Sequence, residues 1–191
     1  MITNKTAVLE QPQRISKFKD LLAFAKFRLT ITVVLSSTMG FGIAPGAFNL
    51  QNFLLLIFGG FLVTGAANGF NQVIERDSDK LMSRTQNRPL PAGRMSVNEG
   101  LRYATIMSVI GLALLASINL FSLVLGFLSL FIYVVIYTPL KKITPLAVFV
   151  GAFPGAIPPM LGYIAASGHF GFEPGILFAV QFIWQFPHFW A

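Results

Sequence analysis

The sequence predicts an all-α integral membrane protein, a bundle of six transmembrane spans, on three observations. Hydrophobic residues make up 54% of the 191 and charged residues only 11%, with a mean hydropathy of +0.69. Apolar runs of about 20 residues, the length that crosses a bilayer core of ~30 Å, recur along the chain. Every lysine and arginine falls before the first run, in alternate gaps between the runs, or in the first turn of the run that follows.

Span one is expected at 27–45, opening after Lys26 and closing in the turn-rich APGAFNLQN. Span two, 53–74, runs into the polar string NQVIERDSD, and span three, 100–118, begins once the charged segment ending at Arg94 is past. Span four, 121–138, follows the short turn SINLF and stops at YTPLKK, where Pro139 is expected to end the helix. Span five, 144–165, holds Pro154, Pro158 and Pro159 with Gly151 and Gly155, so it is expected to be kinked and closely packed, with freed carbonyls facing protein or a cavity. Span six, 174–191, follows the glycine-rich AASGHFGFEPG. The polar gaps are too short for a separate soluble domain, which leaves an N-terminal segment, 1–25, and one membrane domain, 26–191.

The cations set the orientation. Lys5, Arg14, Lys17, Lys19, Lys26 and Arg28 precede or open span one. Arg76, Lys80, Arg84, Arg88, Arg94 and Arg102 surround the gap after span two, and Lys141 and Lys142 follow span four. The other gaps hold none, so the positive-inside rule puts the N-terminus and these loops in the cytoplasm. That rule accounts for most of the net charge of +7, and cations flanking spans argue against nucleic-acid binding. There is no cysteine, which excludes disulfides, thiolate metal sites and cysteine nucleophiles. The first 26 residues lack the apolar core of a cleaved signal, and a bacterial inner membrane is the simplest home.

Asn71, Glu75 and Asp79 are spaced i, i+4, i+8, so on a helix they stay within roughly 80° of one another along ~12 Å of axis. Carboxylates beside a membrane span are costly and mark function. Carboxylate and amide oxygens with room for water suit Mg²⁺, whose shell substrate phosphates complete. The same spacing suits a solvated helix end whose acids balance Arg76 and Lys80. Asp77 points elsewhere, about 200° from Glu75. Arg84 and Arg88 follow in RTQNRPLPAGR, where prolines stop any helix; their planar forks could hold a diphosphate, or anchor to lipid headgroups. Tyr137, Lys141 and Lys142 in YTPLKK could grip a second phosphate or serve as topology signals and aromatic belt. His188, preceded by Gln181 and Gln185, could ligate iron, act as acid or base, or make an interhelical hydrogen bond. His169 has no expected function.

NQVIERDSD followed by SRTQNRPLPAGR resembles the first acidic motif of the UbiA superfamily of intramembrane prenyltransferases. Gln72 and Glu75 within it, with YTPLKKITP, GAFPGAIPPMLGY and WQFPHFWA, are similar to the haem-farnesylating branch, over about Lys26 to Ala191. The resemblance implies transfer of a farnesyl group from farnesyl diphosphate to a vinyl group of haem b, with water added, to give haem O. Asn71, Glu75 and Asp79 would then bind Mg²⁺ on the diphosphate, while Arg84, Arg88 and Lys142 neutralise the leaving group. The implied partners are farnesyl diphosphate, haem b, the lipid bilayer, and haem A synthase or oxidase assembly proteins. Two other readings stay open: a related prenyltransferase acting on a quinone precursor, and a non-catalytic transport or assembly protein. The family has nine spans and a second aspartate motif after the sixth, so these 191 residues are expected to be the N-terminal two-thirds, inactive alone.

Overall fold

The computed structural model describes residues 16–190, with side chains as far as Pro187. Helix is the only regular structure among the described residues: α1 Lys17–Phe24, α2 Phe27–Ile43, α3 Leu50–Lys80, α4 Val97–Ala116, α5 Leu120–Phe131, a π-helical segment Ile132–Tyr137 that continues into α6 Thr138–Leu140, α7 Ala147–Ser167 and α8 Phe172–Trp190. Four stretches are long and apolar enough to cross a bilayer: Leu50–Lys80, Val97–Ala116, Leu120–Leu140 and Ala147–Ser167. The chain is an integral membrane protein.

The expected first span is not one straight helix. α2 has only 17 residues, and it makes a fifth crossing only together with α1, from which it is bent by 51°. The break is at Lys26, whose φ of 48° lies in the left-handed region, costly for a residue with a Cβ. The expected boundary at residue 25 falls between α1 and α2, which pass as a span only when taken together, and residues 1–15 of the N-terminal segment lie outside the described residues. The sixth expected span corresponds to α8, of 19 residues, whose last side chains lie outside the described set.

Local chemistry explains the ends. Asn49 caps α3 by accepting from the Asn52 N–H at 3.0 Å. Ser96 and Glu99 form a reciprocal capping box on α4. Asn119 caps α5 by accepting from Ser122 N–H at 2.8 Å, and its amide donates to Ile164 O on α7 at 3.2 Å. Gly168, at φ 78°, ends α7 in the left-handed conformation glycine adopts freely. The continuous helix Leu120–Leu140 ends one residue after Pro139, next to where its missing N–H was expected to stop it.

One core joins α2, α3, α4, α5 and α7 through Phe41, Leu56, Val63, Leu115, Leu125, Ile157 and Leu161. α7 lies against α2 backbone to backbone: a Cβ at Gly40 would strike the Pro159 carbonyl and one at Gly162 the Ser37 carbonyl. Phe24, Leu90, Met95 and Ala104 make a smaller core at the other end of the bundle. Phe24 is fully buried and fills a notch left by Gly69, where a Cβ would come within 2.5 Å of its ring. That burial contributes about 1.5–3 kcal/mol and ties α1 to α3.

Candidate active site

α3 runs six residues past the expected end of span two, because IERDSDK contains no helix breaker. The extension keeps Asn71, Glu75 and Asp79 on one continuous helix, and all three are buried, at 1%, 6% and 5% exposure. Each meets a basic side chain from elsewhere in the chain. Arg88 Nη1 lies 2.7 Å from Asp79 Oδ2. Lys141 Nζ lies 2.6 Å from Glu75 Oε1 and 5.6 Å from the centre of the Tyr137 ring. Lys26 Nζ donates to Asn71 Oδ1 at 3.4 Å, and the Asn71 amide donates to Thr138 Oγ1 at 3.3 Å. Asp77 is turned away, 75% exposed, and pairs with Arg76 and Lys80.

Packing holds the cations in place. The segment between α3 and α4 is a folded cap: Thr85 Oγ1 donates to Asp79 O at 2.8 Å, and the Arg94 and Met95 N–H groups donate to Pro89 O at 2.9 and 3.1 Å. Leu90 and Met95 anchor it in the smaller core. Arg94 also reaches the buried Asp20 of α1 at 2.9 Å, so the cap, α1 and α3 are pinned together beside the row. Gln72, one residue after Asn71, donates to the Ala23 and Phe24 carbonyls at 3.1 and 2.7 Å and satisfies the end of α1. Arg84 and Lys142, in contrast, are exposed and outside the row. The His188 side chain lies outside the described residues, and His169 sits in the exposed turn at the far end, its Nδ1 2.8 Å from Ser167 O.

Below the row, inside the bundle, is a cavity of about 280 Å³ walled by α2, α3, α5 with its π-helical segment, α7 and α8. Tyr133 and Tyr137 line it, their ring centres 5.3 Å apart. Gly151 makes room for Tyr137, since a Cβ there would come within 2.7 Å of the ring. Pro154, Gly155 and Pro158 line the α7 wall. Pro158 has no N–H to offer the Pro154 carbonyl, and Ser129 of α5 donates to that oxygen instead, at 3.4 Å. Gln185 of α8 is buried against Gly155 and donates to Ala152 O at 3.2 Å.

The donor set is an open half-shell. Among the described residues no group of three or more His, Cys, Asp or Glu side chains comes together as a metal cage. Two buried carboxylates and an amide oxygen on one helix face, with cations in contact, suit a hard ion such as Mg²⁺, which keeps waters and takes phosphate oxygens. The residues present fit that group.

Residues 33–191 match the model of the UbiA prenyltransferase family. The chain belongs to this family. Among its relatives, the protoheme IX farnesyltransferase of Christiangramia forsetii is 54% identical over 177 residues, covering 93% of this chain and 58% of that protein. The protoheme IX farnesyltransferase of Flavobacterium psychrophilum is 50% identical over 189 residues, covering 97% and 63%. The chain thus spans about three-fifths of the length of these curated relatives. Among solved structures, digeranylgeranylglyceryl phosphate synthase superposes with a TM-score of 0.79 at 22% identity, covering 88% of this chain and 59% of its own. A UbiA homolog from Archaeoglobus fulgidus bound to DMAPP and Mg²⁺ superposes with a TM-score of 0.74 at 20% identity, covering 88% and 62%. These two likenesses show that the chain has the UbiA fold.

Lys26, Thr138 and Gln72 are the site residues that sequence reasoning missed as a group. Lys26 looked like one more topology cation, and only the broken first span turns it inward. Thr138 carried no signal beyond its place in YTPLKK. Gln72 stood out as a variant letter in the motif, with no sign that it ties α1 to α3.

Proposed function

We propose that this chain carries the diphosphate-binding side of an intramembrane prenyl-transfer site, and that the reaction is transfer of a farnesyl group from farnesyl diphosphate to a vinyl group of haem b, giving haem O. The observation that carries this reading is the buried row of three oxygen-bearing side chains, each engaged by its own cation, on the helix whose next turn, at Asn68, lines a chamber that also holds the Tyr133 and Tyr137 rings. Kinship with the two farnesyltransferases supports the choice of substrates.

Asn71, Glu75 and Asp79 are the residues to hold Mg²⁺ with the diphosphate. When bound, the ion would neutralise charge that develops on the leaving diphosphate. Arg88, Lys141 and Lys26 form the cationic side of the site, already in contact with the row, so they need little reorganisation to stabilise that charge. Arg84 and Lys142 extend this positive rim from the exposed side. The Tyr133 and Tyr137 rings that line the chamber stabilise an allylic cation by their negative faces, and the apolar walls keep water from it. In the transfer, the bond pair of the farnesyl C1–O bond leaves with the diphosphate, and the terminal vinyl carbon of haem b bonds to C1. The cation left on the inner vinyl carbon takes oxygen from water, which releases a proton. His188 is proposed to contact the haem.

The cations and the row share one end of the bundle, and we assign that end and the N-terminus to the cytoplasm of a bacterial cell with the chain in its inner membrane.

Expression of the full gene in a strain lacking its own enzyme, with extracted haems separated by chromatography, tests the reading. Haem O is expected from the wild type, and none from Glu75→Ala or Asp79→Ala although both insert. Prenylated quinone without haem O would overturn the acceptor, and undiminished haem O from either variant would overturn the role of the row.

A further inference from the structure

The chamber does not end bluntly. Beyond it lies a second cavity of about 40 Å³, and Val33, Val63, Thr64, Ser129 and Pro158 line both, so the two adjoin. With a water-sized share of volume near 30 Å³, the second cavity holds little more than one small apolar group. Its far wall is Leu115, Ile157 and Leu161, members of the main hydrophobic core. Its side wall includes Gly60 of α3 and Val34 of α2. A Cβ built on Gly60 meets nothing closer than Val34 Cγ2 at 3.9 Å, so the missing side chain at this position is itself the space. From Asn71 to Gly60 is about 16 Å along the α3 axis, which sets the cavity at the opposite end of the chamber from the oxygen row.

We infer that this end cavity receives the terminal methyl groups of the prenyl chain, and that Gly60, with Val34 opposite, is the specificity-determining pair for prenyl chain length. The inference rests on the prenyl-transfer reading of the site. A prenyl diphosphate held by its head at Asn71, Glu75 and Asp79 has its chain directed down the chamber, and a rigid core behind Leu115 and Leu161 stops it. A chain one unit shorter leaves the end cavity unfilled. A chain one unit longer meets packed side chains that yield poorly. A Cβ at Gly60 enters this space without a clash, so a side chain there shortens the chamber, and trimming Val34 lengthens it.

Binding of unreactive geranyl, farnesyl and geranylgeranyl thiodiphosphates to the purified chain in detergent with Mg²⁺, measured by calorimetry, decides the matter. The wild type is expected to prefer the farnesyl chain. Gly60→Val is expected to lower farnesyl affinity about tenfold, the discrimination that one or two misfitting carbons give, while leaving geranyl affinity unchanged. Val34→Ala is expected to raise geranylgeranyl affinity by a similar factor, and it decides the question if Gly60→Val does not fold. Unchanged chain preference in the folded variants would overturn the inference while leaving the prenyl-transfer reading standing. A wild type that binds none of the three would overturn both.

Discussion

Arg84 and Arg88 lie four residues apart in one segment and have different surroundings. Arg88 is 2.7 Å from the buried Asp79, while Arg84 is exposed. Arg88→Lys replaces a planar fork by a point charge on a shorter reach. Loss of one charge-assisted hydrogen bond is worth about 1.5–3 kcal/mol, so farnesyl diphosphate affinity is expected to fall tenfold or more in Arg88→Lys, with haem binding little changed. Arg84→Lys is expected to cost less, and titration of both variants with a farnesyl diphosphate analogue checks the contrast; equal losses would put Arg84 in the site. The oxygen row itself was legible, because i, i+4, i+8 is the helix's own period and nothing between Asn71 and Lys80 interrupts it. The outward turn of Asp77 was legible for the same reason. The partners were not legible: Lys26 and Lys141 come from 45 residues before Asn71 and from a loop after α6, and pairing across that separation is a property of packing.

At the scale of elements, the apolar runs located α3, α4, α5 and α7 to within a few residues, since bilayer thickness and hydrophobic length are the same constraint. What that constraint cannot see is a break. The bend at Lys26 follows from a left-handed residue and from Phe24 seated against Gly69, neither of which alters mean hydropathy. The π-helical segment Ile132–Tyr137 is equally silent in composition, yet it sets Tyr133 and Tyr137 in the chamber wall. The expectation that α7's freed carbonyls face protein is met at Pro154 by Ser129. The α3–α4 segment looked like a proline-broken loop, and it is one, but Leu90 and Met95 turn it into a packed cap that carries Arg88 and Arg94.

For the whole molecule, the contacts of Lys26, Arg88, Arg94 and Lys141 gather the charge-rich loops at one end, and Asn119 and Phe41 close the other. Orientation is testable because the chain has no cysteine of its own. In intact spheroplasts an impermeant thiol reagent is expected to label His169→Cys and to spare Lys142→Cys, and the reverse pattern would invert the assignment. Central to the proposed function is a metal-dependent diphosphate site at Asn71, Glu75 and Asp79. The most direct test is calorimetric binding of farnesyl thiodiphosphate to the purified chain with Mg²⁺ and with EDTA, in the wild type and in Glu75→Ala. Binding that requires Mg²⁺ and falls at least tenfold in Glu75→Ala is predicted; binding of equal strength in EDTA or in the variant would contradict it.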